Sequence, residues 1–138
     1  EGDDRNDEPV PLRRGKSRQP PTVLLQGGQR LLVLGSAGSG RIPGSIVRTV
    51  VNVVDHGMAL PEALAARRWF NADNELHIET SGLPASTLEA LRGYGYTLTP
   101  YGEMDGYFAR VHAVLVDPAT GTLFGASDPR DFGDAGGR

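Results

Sequence analysis

An apolar run that ends in glycine sets the strongest constraint on how this chain folds. Leu31-Leu32-Val33-Leu34 leads into Gly35-Ser36-Ala37-Gly38-Ser39-Gly40-Arg41-Ile42, and apolar residues at helical spacing follow Pro43. A strand apolar at every position reads as covered on both faces. The glycines permit a sharp turn, and Pro43 suits the first turn of a helix. Strand, glycine turn and helix start together leave backbone N–H groups facing open space. That arrangement suits an anion or a developing oxyanion.

The remaining elements follow from period and punctuation. Thr22–Gln26 and Arg30–Leu34 read as strands joined by the Gly27-Gly28 turn. Ile46, Val47, Val50, Val51, Val54 and Met58 recur at helical spacing, and Gly57 can end that helix. Pro61–Ala66 and Pro84–Arg92 read as helices, and Glu75–Glu79 and Tyr96–Thr99 as strands. Arg110–Val116 and Thr122–Ala126 form a second hairpin around Asp117-Pro118-Ala119-Thr120-Gly121. Strands and helices mixed without strict alternation predict an α+β layered fold.

Residues 1–21 stand apart. Glu1 to Glu8 carry five acids and one arginine, and Leu12 to Arg18 carry four basic residues. With almost no apolar side chains, this segment is expected to be flexible, leaving 22–138 as the folded unit. The chain opens on Glu1 rather than Met, and so reads as a processed or partial chain.

Several function classes drop out. A net charge of −3 does not suit a nucleic-acid binder. No apolar run approaches the ~20 residues that span a bilayer. With no cysteine, disulfide frameworks and thiolate metal sites are excluded. Gly35 and Gly40 have P-loop spacing, but Arg41-Ile42 replace the Lys-Ser/Thr that reach phosphate and Mg²⁺. The dinucleotide pattern fails as well, because Pro43 occupies its third glycine position. His56, His77 and His112 each lack a second ligand at metal spacing, and Ser36 and Ser127 sit in no nucleophile elbow. On residues alone, the loop is as well explained by a sharp turn as by chemistry.

The ordered motifs carry more. Gly35-Ser36-Ala37-Gly38-Ser39-Gly40-Arg41-Ile42 resembles the G-S-P-G-G-S-R-I loop of γ-glutamyltranspeptidases. Val51–Met58 is similar to the helix end that follows it in that family, and Ala63–Arg68 to its E-A-x-x-A-P-R segment. Val116–Arg130, ending Gly125-Ala126-Ser127-Asp128-Pro129-Arg130, is close to its C-terminal signature. The resemblance runs from about Gly15 to Arg130, in order and in register.

It implies an N-terminal-nucleophile hydrolase with a four-layer αββα sandwich, of which this chain is the C-terminal part of the small subunit. In that family a self-cleaved precursor exposes an N-terminal threonine, whose own amino group can serve as base. The threonine attacks the γ-glutamyl amide of glutathione or a related donor, and the acyl group passes to water or an amino acid. No metal or organic cofactor is implied. The implied partners are the large subunit, the start of the small subunit and a small-molecule γ-glutamyl donor. The implied location is periplasmic or extracellular.

The resemblance places the two oxyanion glycines on Gly38 and Ser39, so the second is serine here. The added Cβ sits uneasily with a positive φ. On that mapping, Gly38→Val should lower kcat and leave folding largely intact. The paired serines that bind the donor carboxylate fall on Ser17 and Arg18, with arginine replacing the second. Arg18 suits a carboxylate bidentately, but a different acyl donor fits the change equally. The threonine nucleophile has no counterpart in this chain, so the chain alone should be inert. Two alternatives stay open: an amide acylase with a non-glutamyl donor, and a degenerate non-catalytic relative.

Overall fold

The computed structural model describes residues 20–136. The flexible segment expected over 1–21 lies almost wholly outside them, as do Ser17 and Arg18.

Apolar alternation builds the main sheet. Strands β1 (Thr22–Gln26), β2 (Gln29–Ala37), β6 (Arg110–Val116) and β7 (Leu123–Ser127) lie in the order β1-β2-β6-β7, all neighbours antiparallel. Gly27 and Gly28, at φ 58° and 79°, close the β1–β2 hairpin as its composition predicts. Helix α1 (Ile42–Val54) and helix α2 (Leu60–Ala65) cover one face of this sheet. Leu32, Leu34, Ile42, Ile46, Leu60, Leu64, Val111 and Ala113 form the core between them. Packing through Ile42 and Ile46, with Val50 and Val53 partly buried beside them, supplies what the helix's propensity lacks, while Val47 and Val54 of the expected stripe are exposed. Gly57 stands at φ 62°, just past the end of α1.

Two expectations for β2 change. The strand does not stop at Leu34. Gly35, Ser36 and Ala37 pair with His112, Val111 and Arg110, so the turn begins only at Gly38. Nor do the described residues cover β2 on both faces. Leu32 is 0% exposed, but Val33 is 39% exposed beside Val23 and Val114 on the opposite face.

A second sheet, in the order β3-β4-β5, comprises β3 (Trp69–Ala72), β4 (Glu75–Glu79) and β5 (Thr97–Tyr101). Helix α3 (Ala85–Gly93) connects the parallel pair β4 and β5. Strand β3 has no counterpart in the sequence-based expectation. It pairs with β4 around Asp73-Asn74, with Asp73 at φ 55°. Arg48 of α1 lies over the Trp69 ring at 3.2 Å and donates to the Trp69 carbonyl, tying the helix to this strand. Burial, reinforced by the nearby charges of Arg68 and Arg130, pushes the Arg48 guanidinium down to about 9.

Candidate active site

The glycine loop sits where β2 leaves the sheet and α1 begins. Gly38 has φ 139°, Ser39 φ 55°, and Ser39–Arg41 form one 3-10 turn before α1. Arg41 N–H donates to the Gly38 carbonyl at 3.2 Å. Among the described residues, the N–H groups of Gly38, Ser39 and Gly40 find no backbone acceptor. Three successive amides at the start of a 13-residue helix are therefore available to an anion. Ser39 takes up the positive φ despite its Cβ, at a cost of roughly 1–2 kcal/mol relative to glycine. Ser39→Gly relieves that strain but loosens the unfolded chain by about 0.4–1 kcal/mol. The expected net gain is about 0.5 kcal/mol, read from urea unfolding, and a loss of stability would show that the Ser39 side chain is itself a stabilising contact.

The loop is gripped from one side. Ser36 Oγ donates to the Arg110 carbonyl at 2.8 Å. A Cβ at Gly38 would stand 2.6 Å from Ala109 Cα and 2.7 Å from Ala109 Cβ. Gly38 is thus required for close backbone approach as well as for its φ. The expectation that Gly38→Val spares folding is therefore corrected: the substitution strikes Ala109, the residue that leads into β6.

Behind the loop lies a buried charge network that sequence analysis did not assign. Arg68 follows α2 and is 0% exposed. Its Nη2 donates to Asp128 Oδ2 at 2.9 Å and to the Leu64 carbonyl at 3.0 Å. Arg130 binds the other Asp128 oxygen at 3.0 Å and clamps Glu79, with Nε to Oε1 at 2.8 Å and Nη2 to Oε2 at 2.6 Å. Asp128 also accepts the Val111 and Arg130 N–H groups. Glu79 accepts those of Arg68 and Asp105. Two cations and two carboxylates thus balance while joining both sheets and α2. Burial disfavours the Glu79 charge, but the Arg130 hydrogen bonds and the two backbone donors outweigh it and hold its pKa below the usual value. Arg68 goes the other way: burial lowers its pKa despite Asp128. Arg68, Asp128 and Arg130 all stand in the motifs that carry the family resemblance, which was the available signal.

A small polar cleft of about 130 Å³, lined by Arg67, Glu79, Ser81 and Glu103 among others, does not reach the glycine loop. His112 instead faces Asp131 at 3.9 Å, and His77 bonds the Tyr101 hydroxyl at 3.2 Å, so neither stands bare. Among the described residues, no three His, Asp or Glu side chains gather as a metal site, and no helix is long and apolar enough to cross a membrane.

Comparison with known proteins places this geometry. The solved gamma-glutamyltranspeptidase from Pseudomonas nitroreducens, complexed with L-DON, superposes at a TM-score of 0.80. The match covers 94% of this chain and 66% of that one at 28% identity. The layers are those of an α+β N-terminal-nucleophile hydrolase. The gamma-glutamyltranspeptidase family model matches residues 3–137, and the chain belongs to that family. The glutathione hydrolase proenzyme of Escherichia coli (strain K12) is 33% identical over 126 residues, which is 90% of this chain and 21% of the relative. The acylase ACY 1 proenzyme of Pseudomonas sp. (strain V22) is 30% identical over 118 residues, 86% of this chain and 20% of the relative. The chain thus spans about a fifth of the length of the curated relatives it matches.

Proposed function

We propose that this chain is the C-terminal portion of an enzyme that cleaves γ-glutamyl amide bonds and passes the acyl group to water or an amino acid. The observation that carries it is the loop itself: N–H groups at Gly38 and Ser39, just before α1, with no backbone acceptor among the described residues, in a chain of this family. In this reading the two amides hold the oxyanion that forms when the donor carbonyl is attacked. They are fixed before the reaction starts, so no reorganisation accompanies the charge. The nucleophile is a threonine outside this chain, with its own amino group as base. Ser17 and Arg18 bind the donor's carboxylate.

The rest of the enzyme supplies what the chain lacks. The large subunit and the start of the small subunit cover the open apolar face of the main sheet around Val23 and Val33. The assembled protein works in the periplasm or outside the cell, on a small-molecule γ-glutamyl donor. A second reading, an acylase for a non-glutamyl amide, draws on the acylase relatives and on arginine at position 18.

The assembled enzyme should turn over γ-glutamyl-p-nitroanilide, and the 138-residue chain alone should not. Arg18→Ser should raise kcat/KM for the glutamyl donor if arginine is a poor stand-in for serine, and lower it if Arg18 itself holds the carboxylate. An assembled enzyme that prefers non-glutamyl amides decides for the acylase. Turnover by the isolated chain, abolished by a substitution within it, overturns the placement of the nucleophile.

A further inference from the structure

One short run of chain, residues 107–110, holds the glycine loop at three successive points. Arg110 takes the Ser36 hydroxyl on its carbonyl. Ala109 packs against Gly38. Tyr107 lies under the Arg41 guanidinium, whose Cζ is 4.3 Å from the ring centroid. Arg41 has no ion-pair partner among the described residues, and its Nε is occluded without a hydrogen bond. Among the described residues the ring face is the contact that holds this cation, and Arg41 is the last residue of the 3-10 turn that carries Ser39 and Gly40.

Tyr107 is itself firmly seated. It stacks on Tyr101 at 4.5 Å and 21°, and on His77 at 5.0 Å and 23°, both from the second sheet. Phe108 meets it edge-on at 5.3 Å. Its N–H donates to Asp105 Oδ1 at 2.8 Å, and the Asp105 N–H donates to Glu79 Oε1 at 3.0 Å. Glu79 is clamped by Arg130 in the buried network. A continuous line of contacts therefore runs from the charge network, through Asp105 and Tyr107, to Arg41 and the loop.

We propose that Tyr107 is a positioning residue for the oxyanion loop, acting through Arg41 to fix the direction of the Gly38 and Ser39 N–H groups. The proposal rests on the oxyanion reading of the loop. Tyr107 touches no reacting atom. Its ring sets where Arg41 lies, and Arg41 sets the turn that aims the amides. A displacement of the order of 1 Å at such donors costs rate without weakening ground-state binding.

The test uses Tyr107→Leu, Tyr107→Phe and Arg41→Lys. Lysine keeps the charge of Arg41 but loses the planar face that stacks. In the 138-residue chain, exchange of the two hydrogen-bonded amides of the turn, Arg41 (to the Gly38 carbonyl) and Ile42 (to the Ser39 carbonyl), should quicken about tenfold in Tyr107→Leu and Arg41→Lys, the size of a lost cation–π contact, and Tyr107→Phe should restore most of the protection. In the assembled enzyme, kcat should fall by roughly ten- to a hundredfold in the same two variants with KM unchanged. Unaltered exchange in Tyr107→Leu overturns the proposal, as does a loss confined to KM. An assembled wild type without amide-cleaving activity would instead defeat the functional reading, while the exchange experiment still decides whether Tyr107 positions the loop.

Discussion

Asp128→Ala should destabilise the fold by about 3–5 kcal/mol, the cost of leaving buried charge without its partner. Asp128 is 0% exposed and serves four donors: Arg68 Nη2, Arg130 Nη1, and the N–H groups of Val111 and Arg130. Its removal leaves two guanidinium groups facing one carboxylate in a site sealed from water. The loss is a large share of the roughly 5–15 kcal/mol that holds a domain of this size. Asp128→Asn keeps the shape and some of the acceptors, so it should cost less. Urea unfolding of the three proteins measures the difference, and equal stability of Asp128→Ala and wild type would remove the network from the account. Acid should act on the same site through Glu79. Its pKa in the folded state lies below the ordinary value of 4.5, so its contribution is complete above that value. The contribution is lost as pH falls below 4.5 through the lowered folded value.

Gly38→Val should be nearly as damaging, and for two reasons at once. The φ of 139° strains any residue with a Cβ, which costs of order 1–3 kcal/mol. The Cβ would also stand 2.6 Å from the Ala109 backbone, where relief requires moving β6 away from β2, and overpacking of this kind costs typically 1–3 kcal/mol more. About 2–6 kcal/mol in total follows. Gly38→Ala meets the same first contact and should lose most of that amount. Urea midpoints for both variants give the measurement. If Gly38→Val folds as stably as wild type, the close approach to Ala109 is not a constraint. If the assembled enzyme carrying it also keeps full kcat, Gly38 has no part in holding the oxyanion.

Much of the fold is written locally in the chain. The β1–β2 hairpin needs Gly27-Gly28 between two apolar runs, and α1 needs Pro43, its apolar period and Gly57; each signal is complete within a few residues, although the packed face is Ile42, Ile46, Val50 and Val53 and leaves Val47 and Val54 of the expected stripe exposed. Where expectation and structure part, a distant partner decides. Gly35-Ser36-Ala37 has the composition of a turn, yet it stays in the strand because β6 offers it a ladder. Trp69–Ala72 is too short and mixed to announce a strand, and becomes one only beside β4. The apolar run of β2 reads as covered on both faces, yet nothing in the described residues covers Val33, because a run of apolar residues does not say which part of a protein supplies the cover.

The site divides the same way. The loop's free amides follow from glycines between a strand and a helix, a pattern confined to eight residues. The groups that hold it in place do not. Arg68, Glu79 and the Asp128–Arg130 pair come from three separate stretches of chain and show no period. Tyr107 sits in an irregular segment between β5 and β6, where no pattern marks a residue as buried or exposed. Single charged or aromatic residues acquire a role only when the two sheets bring them together.

In the proposed function, Gly38 and Ser39 offer their N–H groups to a developing oxyanion. A crystal structure of the assembled enzyme, trapped by an inhibitor that forms the tetrahedral adduct on the nucleophile, tests it most directly. The account predicts the adduct oxygen about 2.7–3.1 Å from both nitrogens, with the Arg41–Tyr107 stack unchanged. An adduct oxygen bound elsewhere, with the loop amides turned to water or to another part of the protein, would contradict it.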